Sequence, residues 1–327
     1  MTIQFTIIGL GQIGASLGLA LSDQKDKLTR VGHDSNPTNA RAAEKIGAVD
    51  RTTLRLQSAV EEADIVVLAL PVDEIHKTLE FIAPDLKEGC VVLDTSPVKV
   101  SSIKWAEELL PEGRYYVTFS PTINPDYLME IPTGTEAAKA DLFKNSVMVI
   151  TSSVGTEGEA IKLATDLTKL VGATPYFADP YEADGLTAAA DLLPKLTAAA
   201  IILSTQNQPG WRETRKLAAH AYALGTTPLL HMNEVKEFGT FALANKENAS
   251  RVLGDLINEL QIMKEQIDQE DAAGLQKSLE KALDGRSTWL SQRQKAEWGT
   301  LNLPEVPSAK EMLGRLIGLR PGRKEKK

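Results

Sequence analysis

The sequence predicts an α/β protein in which a doubly wound parallel sheet, residues 1–178, is followed by an all-helical second domain, residues 179–295. Two observations support this fold class. In the first part, short runs that are apolar at every position alternate with helical stretches, as in parallel strands covered on both faces. From residue 179 onward the pattern is helical almost throughout. Residues 296–327 form a C-terminal extension with a basic tail.

The first strand and the turn after it carry the most specific motif of the chain. An apolar run over residues 3–8 leads into Gly-Leu-Gly-Gln-Ile-Gly at 9–14. Gly9 permits a tight turn, Gly11 lets the backbone approach a pyrophosphate, and Gly14 lets the helix pack close to the sheet. The N-terminus of that helix presents unpaired N–H groups to the phosphates. This order predicts a Rossmann-type dinucleotide-binding domain.

An acidic residue completes the motif and indicates which dinucleotide binds. Asp34 directly follows the second predicted strand, where a carboxylate accepts hydrogen bonds from the adenosine ribose hydroxyls and repels a 2′-phosphate. We therefore expect NAD rather than NADP as the cofactor. The residues expected to bind it are Gly9, Gly11, Gln12, Ile13, Gly14, Asp34, Leu70 and Pro71.

Further apolar runs predict the rest of the sheet, and the stretches between them predict helices. The later predicted strands cover residues 65–70, 90–93, 115–118, 147–150 and 174–177, and the predicted helices include 38–46, 74–81 and 157–170. The cofactor belongs at the carboxyl ends of these strands.

Composition is that of a soluble enzyme and narrows the possible partners. The net charge of −8 argues against a nucleic-acid surface and favours the cytoplasm. Cys90 is the only cysteine, so the chain forms no internal disulfide and no thiolate metal cluster. No His, Cys, Asp and Glu set has metal-ligand spacing, so we expect no metal. We also expect no signal peptide and no apolar stretch near the ~20 residues of a membrane span.

The second domain consists of long, unusually apolar helices. The pattern predicts helices over residues 181–204, 245–267 and 272–283, the last ending at Gly285. Helices this apolar need cover on several sides, which a homodimer would supply, although a self-contained bundle explains the same pattern. In the extension, Ser308 and Glu311 form a capping box that predicts a short helix.

Several motifs in order resemble one enzyme family, the prephenate and arogenate dehydrogenases, over residues 1–290. The resemblance rests on residues 9–17, Ala63-Asp64 with the strand ending at Pro71, Asp94 with Val98-Lys99, Pro121, and Leu193-Pro194. It implies a Rossmann domain and a helical dimerisation domain, with the active site in the cleft between them. It also implies NAD-dependent oxidation of a ring C4 hydroxyl, coupled to loss of carbon dioxide as the ring aromatises, in tyrosine biosynthesis.

The chain departs from the family at positions that carry chemistry. The family's histidine partner of the substrate hydroxyl falls on Ser120, which can hydrogen-bond the hydroxyl but cannot take its proton at neutral pH. The family's serine before Val-Lys falls on Pro97, with Ser96 one place earlier. The family's histidine before Leu-Pro falls on Leu192. Together these changes indicate a changed substrate or a changed mechanism.

The first helix of the second domain offers replacements. Asp184, Ala188, Asp191 and Lys195 have the spacing of one helix face. If that face lines the cleft, Asp191 acts as base and Lys195 binds the substrate carboxylate. The alternative is a surface Asp191–Lys195 ion pair worth below about 1 kcal/mol.

The remaining candidates lie in the first domain. Ser120 would orient the hydroxyl and Asp94 would hold the turn in which Ser96 lies. Lys99 would neutralise a substrate carboxylate or cap that turn. Three functions remain open: a prephenate-type dehydrogenase, a dehydrogenase of another small carboxylated alcohol, and a non-catalytic NAD-binding sensor or partner subunit.

Overall fold

The computed structural model describes residues 2–130, 134–232, 235–296 and 298. The chain divides into two compact units, the first ending at Ala183 and the second beginning at Asp184. The predicted domain limits at 178 and 295 stay predictions. The predicted helix at Ser308 and the basic tail lie outside the described residues.

The first unit is built on one eight-stranded sheet, which confirms the predicted fold class. Its strands are β1 (Ile3–Ile8), β2 (Leu28–His33), β3 (Arg51–Thr52), β4 (Ile65–Leu68), β5 (Val91–Asp94), β6 (Tyr115–Pro121), β7 (Val147–Ser152) and β8 (Thr174–Phe177). They lie in the order β3-β2-β1-β4-β5-β6-β7-β8. The order reverses between β1 and β4, which is where a doubly wound sheet opens a crevice for a ligand.

One pair of strands corrects the prediction of a fully parallel sheet. β7 runs antiparallel to β6, with Phe119 opposite Ile150, whereas the other neighbouring strands are parallel. Parallel neighbours need a long crossover connection, usually an α-helix. The described part of the connection from β6 to β7 contains only short 3-10 turns, at Pro125–Tyr127 and Thr135–Ala137, and so returns the chain antiparallel.

Helices cover both faces of this sheet. They are α1 (Gln12–Ala20), α2 (Pro37–Lys45), α3 (Leu56–Val60), α4 (Val72–Ile82), α5 (Val100–Leu109) and α6 (Gly158–Leu170). Successive strand residues point to opposite faces, so Ile7 joins one buried cluster with residues of α1 and α6 and Ile8 joins another with residues of α4 and α5. The fully apolar strands are therefore buried on both sides, as predicted.

The second unit is helical throughout its described part. Its elements are α7 (Pro180–Thr187), which begins in the first unit, a π-helical turn (Ala188–Leu192), α8 (Leu193–Gln206), α9 (Trp211–Leu217), α10 (His220–Thr226), α11 (Val235–Ala244), α12 (Lys246–Asp268) and α13 (Ala272–Lys295). The predicted end at Gly285 is wrong. A glycine inside a helix costs about 1 kcal/mol without ending it, and the helix ends where Ala296 takes a left-handed conformation (φ 52°).

The predicted continuous helix over residues 181–204 contains a wide turn. Pro194 lacks an N–H and its ring crowds the carbonyl four residues earlier, which favours a π-helical turn just before it. This turn shifts the helix register. Asp184 is 3 % exposed whereas the side chain of Asp191 is 43 % exposed. The prediction that both acids share one helix face is therefore wrong.

The same segment also corrects the expectation about apolar length. Pro180–Gln206 spans 27 residues and contains a stretch with a mean hydropathy of 1.6, of which 17 % is buried. Its length and composition therefore reach those of a membrane span, contrary to the expectation. Core helices of soluble proteins can also meet these criteria, but they are mostly buried, whereas this helix is mostly uncovered by the described residues of the chain.

Candidate active site

The glycine turn after β1 has the geometry that the motif predicts. Gly9 has φ +91°, and a Cβ there would lie 2.2 Å from the carbonyl oxygen of Ala69. A Cβ on Gly14 would lie 1.9 Å from the carbonyl oxygen of Gly9. Around Gly11, in contrast, a Cβ would meet no atom within 4 Å. Two glycines are thus required by the fold, and the third leaves an open approach to the backbone at the start of α1.

Asp34 and the loop after β4 lie around this turn. The Asp34 carboxylate accepts hydrogen bonds from the backbone N–H of Leu10 and of Asn36, each at 2.8 Å. Leu70 and Pro71 are half-buried, and the Leu70 side chain lies 3.1 Å from the Cβ position of Gly9. The structure therefore brings the predicted cofactor residues together at the carboxyl ends of β1, β2 and β4.

A cavity of about 590 Å³ opens beside the end of β2, within the usual size range of ligand pockets. It is lined by two aromatic rings, two cations and apolar or neutral polar residues: His33, Leu54, Arg55, Leu56, Gln57, Lys77, Thr78 and Phe81. The sequence does not predict this cavity, because its lining combines the end of β2, the loop after β3, α3 and α4, which are separate in the sequence. Its position beside Asp34 suits the adenine end of a dinucleotide.

A second loop that sequence analysis missed lies against the glycine turn. Thr135 donates its hydroxyl to the carbonyl oxygen of Leu10 at 2.6 Å, and the backbone N–H of Lys139 donates to the hydroxyl of Ser16 at 3.0 Å. The side-chain amide of Gln12 donates to the carbonyl oxygen of Ala137 at 3.5 Å. The loop between β6 and β7 thus fixes the start of α1.

A polar cluster, comprising Asp94, Ser96, Lys99, Tyr116 and Ser120, lies where β5 and β6 end. The strands are parallel with Asp94 opposite Thr118, so the residues that follow meet at the same edge. Lys99 Nζ donates to the carbonyl oxygen of Ser96 and to Ser120 Oγ, both at 2.5 Å. Ser120 Oγ donates to the same Ser96 carbonyl at 2.6 Å. Three predicted site residues, Ser96, Lys99 and Ser120, are therefore in mutual contact.

Asp94 holds the base of the polar cluster, as the sequence predicts. Its carboxylate accepts the N–H of Ser96 at 2.8 Å, the Ser96 hydroxyl at 2.6 Å and the Tyr116 hydroxyl at 2.7 Å. Burial, together with the Asp94 charge, raises the pKa of Tyr116 well above its ordinary value, so this phenol stays a neutral donor. Tyr116 was missed because a tyrosine in a buried strand has the same pattern as a core residue.

Lys99 is almost fully enclosed, with 1 % exposure. It occupies the residue before α5, and its main-chain carbonyl accepts the N–H of Ile103 at 3.0 Å. Burying an amine is costly without hydrogen-bond partners, and the two oxygens named above supply them. Lys99 thus contacts the turn, as one sequence-based reading expects, and also the side chain at the family's histidine position.

The second unit carries the other two candidate residues. Lys195 forms an ion pair with Asp191 at 2.8 Å and lies over the Phe238 ring, 5.7 Å from its centroid. Lys195 is 18 % and Asp191 43 % exposed. This contact is the ion pair of the alternative reading, and the catalytic roles of the two residues remain predictions.

Comparison with known proteins shows which enzymes the chain resembles. Residues 17–176 match the family model described as prephenate dehydrogenase, nucleotide-binding domain. The chain is also 26 % identical to the prephenate dehydrogenase of Bacillus subtilis over 295 residues, which cover 86 % of this chain and 74 % of that protein. The chain is therefore similar to the prephenate/arogenate dehydrogenases.

Further cyclohexadienyl, prephenate and arogenate dehydrogenases show the same likeness. The cyclohexadienyl dehydrogenase of Zymomonas mobilis is 31 % identical over 166 residues, or 51 % of this chain and 55 % of that protein. The crystal structure of A. aeolicus prephenate dehydrogenase with hydroxyphenyl propionate and NAD⁺ has a TM-score of 0.78 and 21 % identity, covering 88 % of this chain and 98 % of that one. Synechocystis arogenate dehydrogenase has a TM-score of 0.71, 21 % identity, and coverages of 88 % and 100 %. These structures establish the shared fold.

Proposed function

We propose that the chain is an NAD-dependent dehydrogenase of the prephenate/arogenate type. It oxidises the C4 hydroxyl of prephenate or arogenate with loss of carbon dioxide, a step of tyrosine biosynthesis. The observation that carries the proposal is the glycine turn with Asp34, in a domain whose residues 17–176 match the nucleotide-binding domain of this family.

The residues present fit NAD. The open backbone at Gly11 accommodates the pyrophosphate, and the Asp34 carboxylate, which has acceptor capacity beyond its two backbone donors, binds the adenosine ribose. The cavity beside His33 receives the adenine, and Leu70 and Pro71 border the cofactor. Bound NAD⁺ supplies the hydride acceptor of the reaction.

At the substrate end, Ser120 orients the reacting hydroxyl. Its own hydroxyl is fixed by Lys99 and by the Ser96 carbonyl, so its remaining acceptor position has a defined direction. Lys195 attracts a substrate carboxylate. Asp191 is the base that the sequence suggests, and its carboxylate forms an ion pair with Lys195.

The helical unit serves a homodimer in the cytoplasm. Large apolar side chains on α12 and α13 are exposed in the single chain: Ile257 is 65 %, Leu260 55 % and Leu283 67 % exposed. A self-contained bundle would bury them, so a second copy of the chain is the better cover. The partners are then a small carboxylated substrate and another subunit, and neither nucleic acid nor a membrane is needed.

Formation of NADH with prephenate and with arogenate tests the proposed activity, and calorimetric titration with NAD tests cofactor binding separately. The serine at the family's histidine position favours one alternative, a dehydrogenase of another small carboxylated alcohol. NAD binding without turnover of either substrate, but with turnover of another hydroxy acid, supports that alternative. Tight binding without turnover of any acid supports a sensor or partner subunit.

A further inference from the structure

His33 is the last residue of β2 and lines the cavity beside Asp34. Its Nδ1 atom lies 3.1 Å from the main-chain carbonyl oxygen of Thr53. A carbonyl oxygen only accepts hydrogen bonds, so Nδ1 carries a hydrogen and donates it. In a neutral imidazole the other ring nitrogen then has a lone pair and no hydrogen. The Nε2 atom of His33 is therefore an acceptor.

The carbonyl group that sets this tautomer is itself held in place. The main-chain N–H of Thr53 donates to the carbonyl oxygen of Gly32 at 2.9 Å, and the Thr53 hydroxyl donates to the carbonyl oxygen of Arg55 at 2.9 Å. The opposite tautomer of His33 would take the donor away from the Thr53 carbonyl. Within the described part of the chain, Nε2 has no hydrogen-bond partner, so it is available to a bound molecule.

The adenine of a dinucleotide has an edge that fits a fixed acceptor. Adenine carries an exocyclic amine at C6, which donates, whereas guanine and hypoxanthine carry a carbonyl oxygen there, which accepts. We propose that His33 recognises the adenine of NAD by accepting a hydrogen bond from this exocyclic amine at Nε2. His33 then makes the cavity selective for adenine over 6-oxopurines. This inference rests on the cofactor of the proposed function but not on its substrate.

The other polar side chains of the cavity do not provide this selectivity. Arg55 and Lys77 are donors only, so they would favour a carbonyl oxygen at C6, which is the opposite choice. Gln57 and Thr78 can both donate and accept, so neither imposes a choice between an amine and a carbonyl. Among the described residues that line the cavity, His33 is therefore the side chain that presents a fixed acceptor.

The experiment compares NAD with nicotinamide hypoxanthine dinucleotide, in which a carbonyl oxygen replaces the amine. Titration calorimetry with the full-length protein gives both affinities. Histidine side chains are ordinarily neutral at pH 8, so the titrations are made there. We expect the wild type to bind NAD about tenfold more tightly, as one well-placed hydrogen bond allows. In His33→Phe, which keeps an aromatic ring, the two affinities should agree within about twofold.

Gln57→Leu and Thr78→Val are the matched controls, because each removes a neutral polar group from the same cavity. Each should leave the ratio of the two affinities near its wild-type value, even where both affinities change. If a control loses the ratio while His33→Phe keeps it, the base is recognised by that control residue and the proposal is overturned. Equal binding of the two dinucleotides by the wild type would overturn it as well.

A second readout reports the tautomer of His33 directly. The chain has four histidines, so the ring nitrogens of ¹⁵N-histidine-labelled protein give four sets of signals, and the set absent in His33→Phe belongs to His33. If that variant does not fold, variants of His76, His220 and His231 assign the fourth set by elimination. We expect hydrogen on Nδ1 at pH 8, and a larger shift of the Nε2 signal with NAD than with its hypoxanthine analogue. Hydrogen on Nε2 in place of Nδ1 would overturn the proposal.

These measurements do not depend on the proposed reaction. If neither prephenate nor arogenate yields NADH while the wild type still prefers NAD to its hypoxanthine analogue, the proposed substrate is wrong and the role of His33 stands. If NADH forms and the two dinucleotides bind equally, the reaction stands and the role of His33 is wrong. A wild type that binds neither dinucleotide contradicts both.

Discussion

Asp34 is tied to the glycine turn by a 2.8 Å hydrogen bond from the backbone N–H of Leu10 to its Oδ2 atom. This bond joins the end of β2 to the turn after β1 and holds the carboxylate beside the open backbone at Gly11. The same carboxylate therefore positions the turn, and we propose that it also selects the cofactor.

The first prediction concerns NAD against NADP. The wild type binds NAD more tightly, because the Asp34 carboxylate repels a 2′-phosphate. Asp34→Ser with Ser35→Arg narrows or reverses this preference, aided by Arg55 and Lys77 in the adjacent cavity. Titration calorimetry with both cofactors measures it, and Asp34→Asn is the control that removes charge but keeps shape. Equal affinities in the wild type would contradict the assignment.

The second prediction separates two glycines of one motif. Gly11→Ala folds normally but binds NAD more weakly, because its methyl group enters open space where the pyrophosphate lies. Gly14→Ala lowers the free energy of unfolding by about 1–3 kcal/mol, because its methyl group meets the Gly9 carbonyl. Thermal melting and NAD titration of both variants check this. Similar losses of stability in the two variants would contradict the geometry of the turn.

The third prediction uses the buried thiol. Burial raises the pKa of Cys90 from its ordinary 9.0 to about 12. The thiol pKa is higher in the folded state than in the unfolded state, so ionisation of the thiol favours unfolding. The free energy of unfolding is unaffected by this group below pH 9, and it falls by up to about 4 kcal/mol as the pH rises from 9 towards 12. Denaturant unfolding of the wild type and of Cys90→Ala from pH 7 to 11 measures it. The wild type should lose more stability than the variant, and parallel curves would show that the thiol is accessible to water.

The fourth prediction concerns the apolar surface of α12. The wild type is a dimer, with about twice the chain mass of 35.5 kDa by light scattering. Ile257→Glu with Leu260→Glu shifts the mass towards the monomer, because charges replace apolar side chains in the interface. Val154→Glu, at an exposed apolar residue of the first unit that does not line the cavity beside His33, is the control. A wild-type mass that stays at that of one chain as concentration rises would refute the dimer.

Local signals in the sequence account for the elements that were predicted well. The glycine turn, Asp34 and the fully apolar strands depend on neighbouring residues, so their patterns identify them directly. The wide turn before Pro194 also had a local signal, since a proline inside an apolar helix disturbs the bonds of the preceding turn.

Features that depend on contacts between residues far apart in the sequence could not be predicted from it. The contact between Lys99 and Ser120 exists because β5 and β6 are neighbours with Asp94 opposite Thr118, and strand order cannot be read from either strand alone. For the same reason, the sequence does not predict the hydrogen bond from Tyr116 to Asp94 or the antiparallel direction of β7. The sequence identifies each of these residues, but it does not show which strands are neighbours and therefore which residues come into contact.

The most direct test of the central claim is the rate of NADH formation with prephenate and with arogenate, by the wild type and by Ser120→His. The proposed function predicts that the wild type oxidises at least one of the two substrates. Ser120→His restores the family residue, and it should keep or raise that rate. If both proteins are inert with both substrates while each still binds NAD, the chain is not a prephenate-type dehydrogenase.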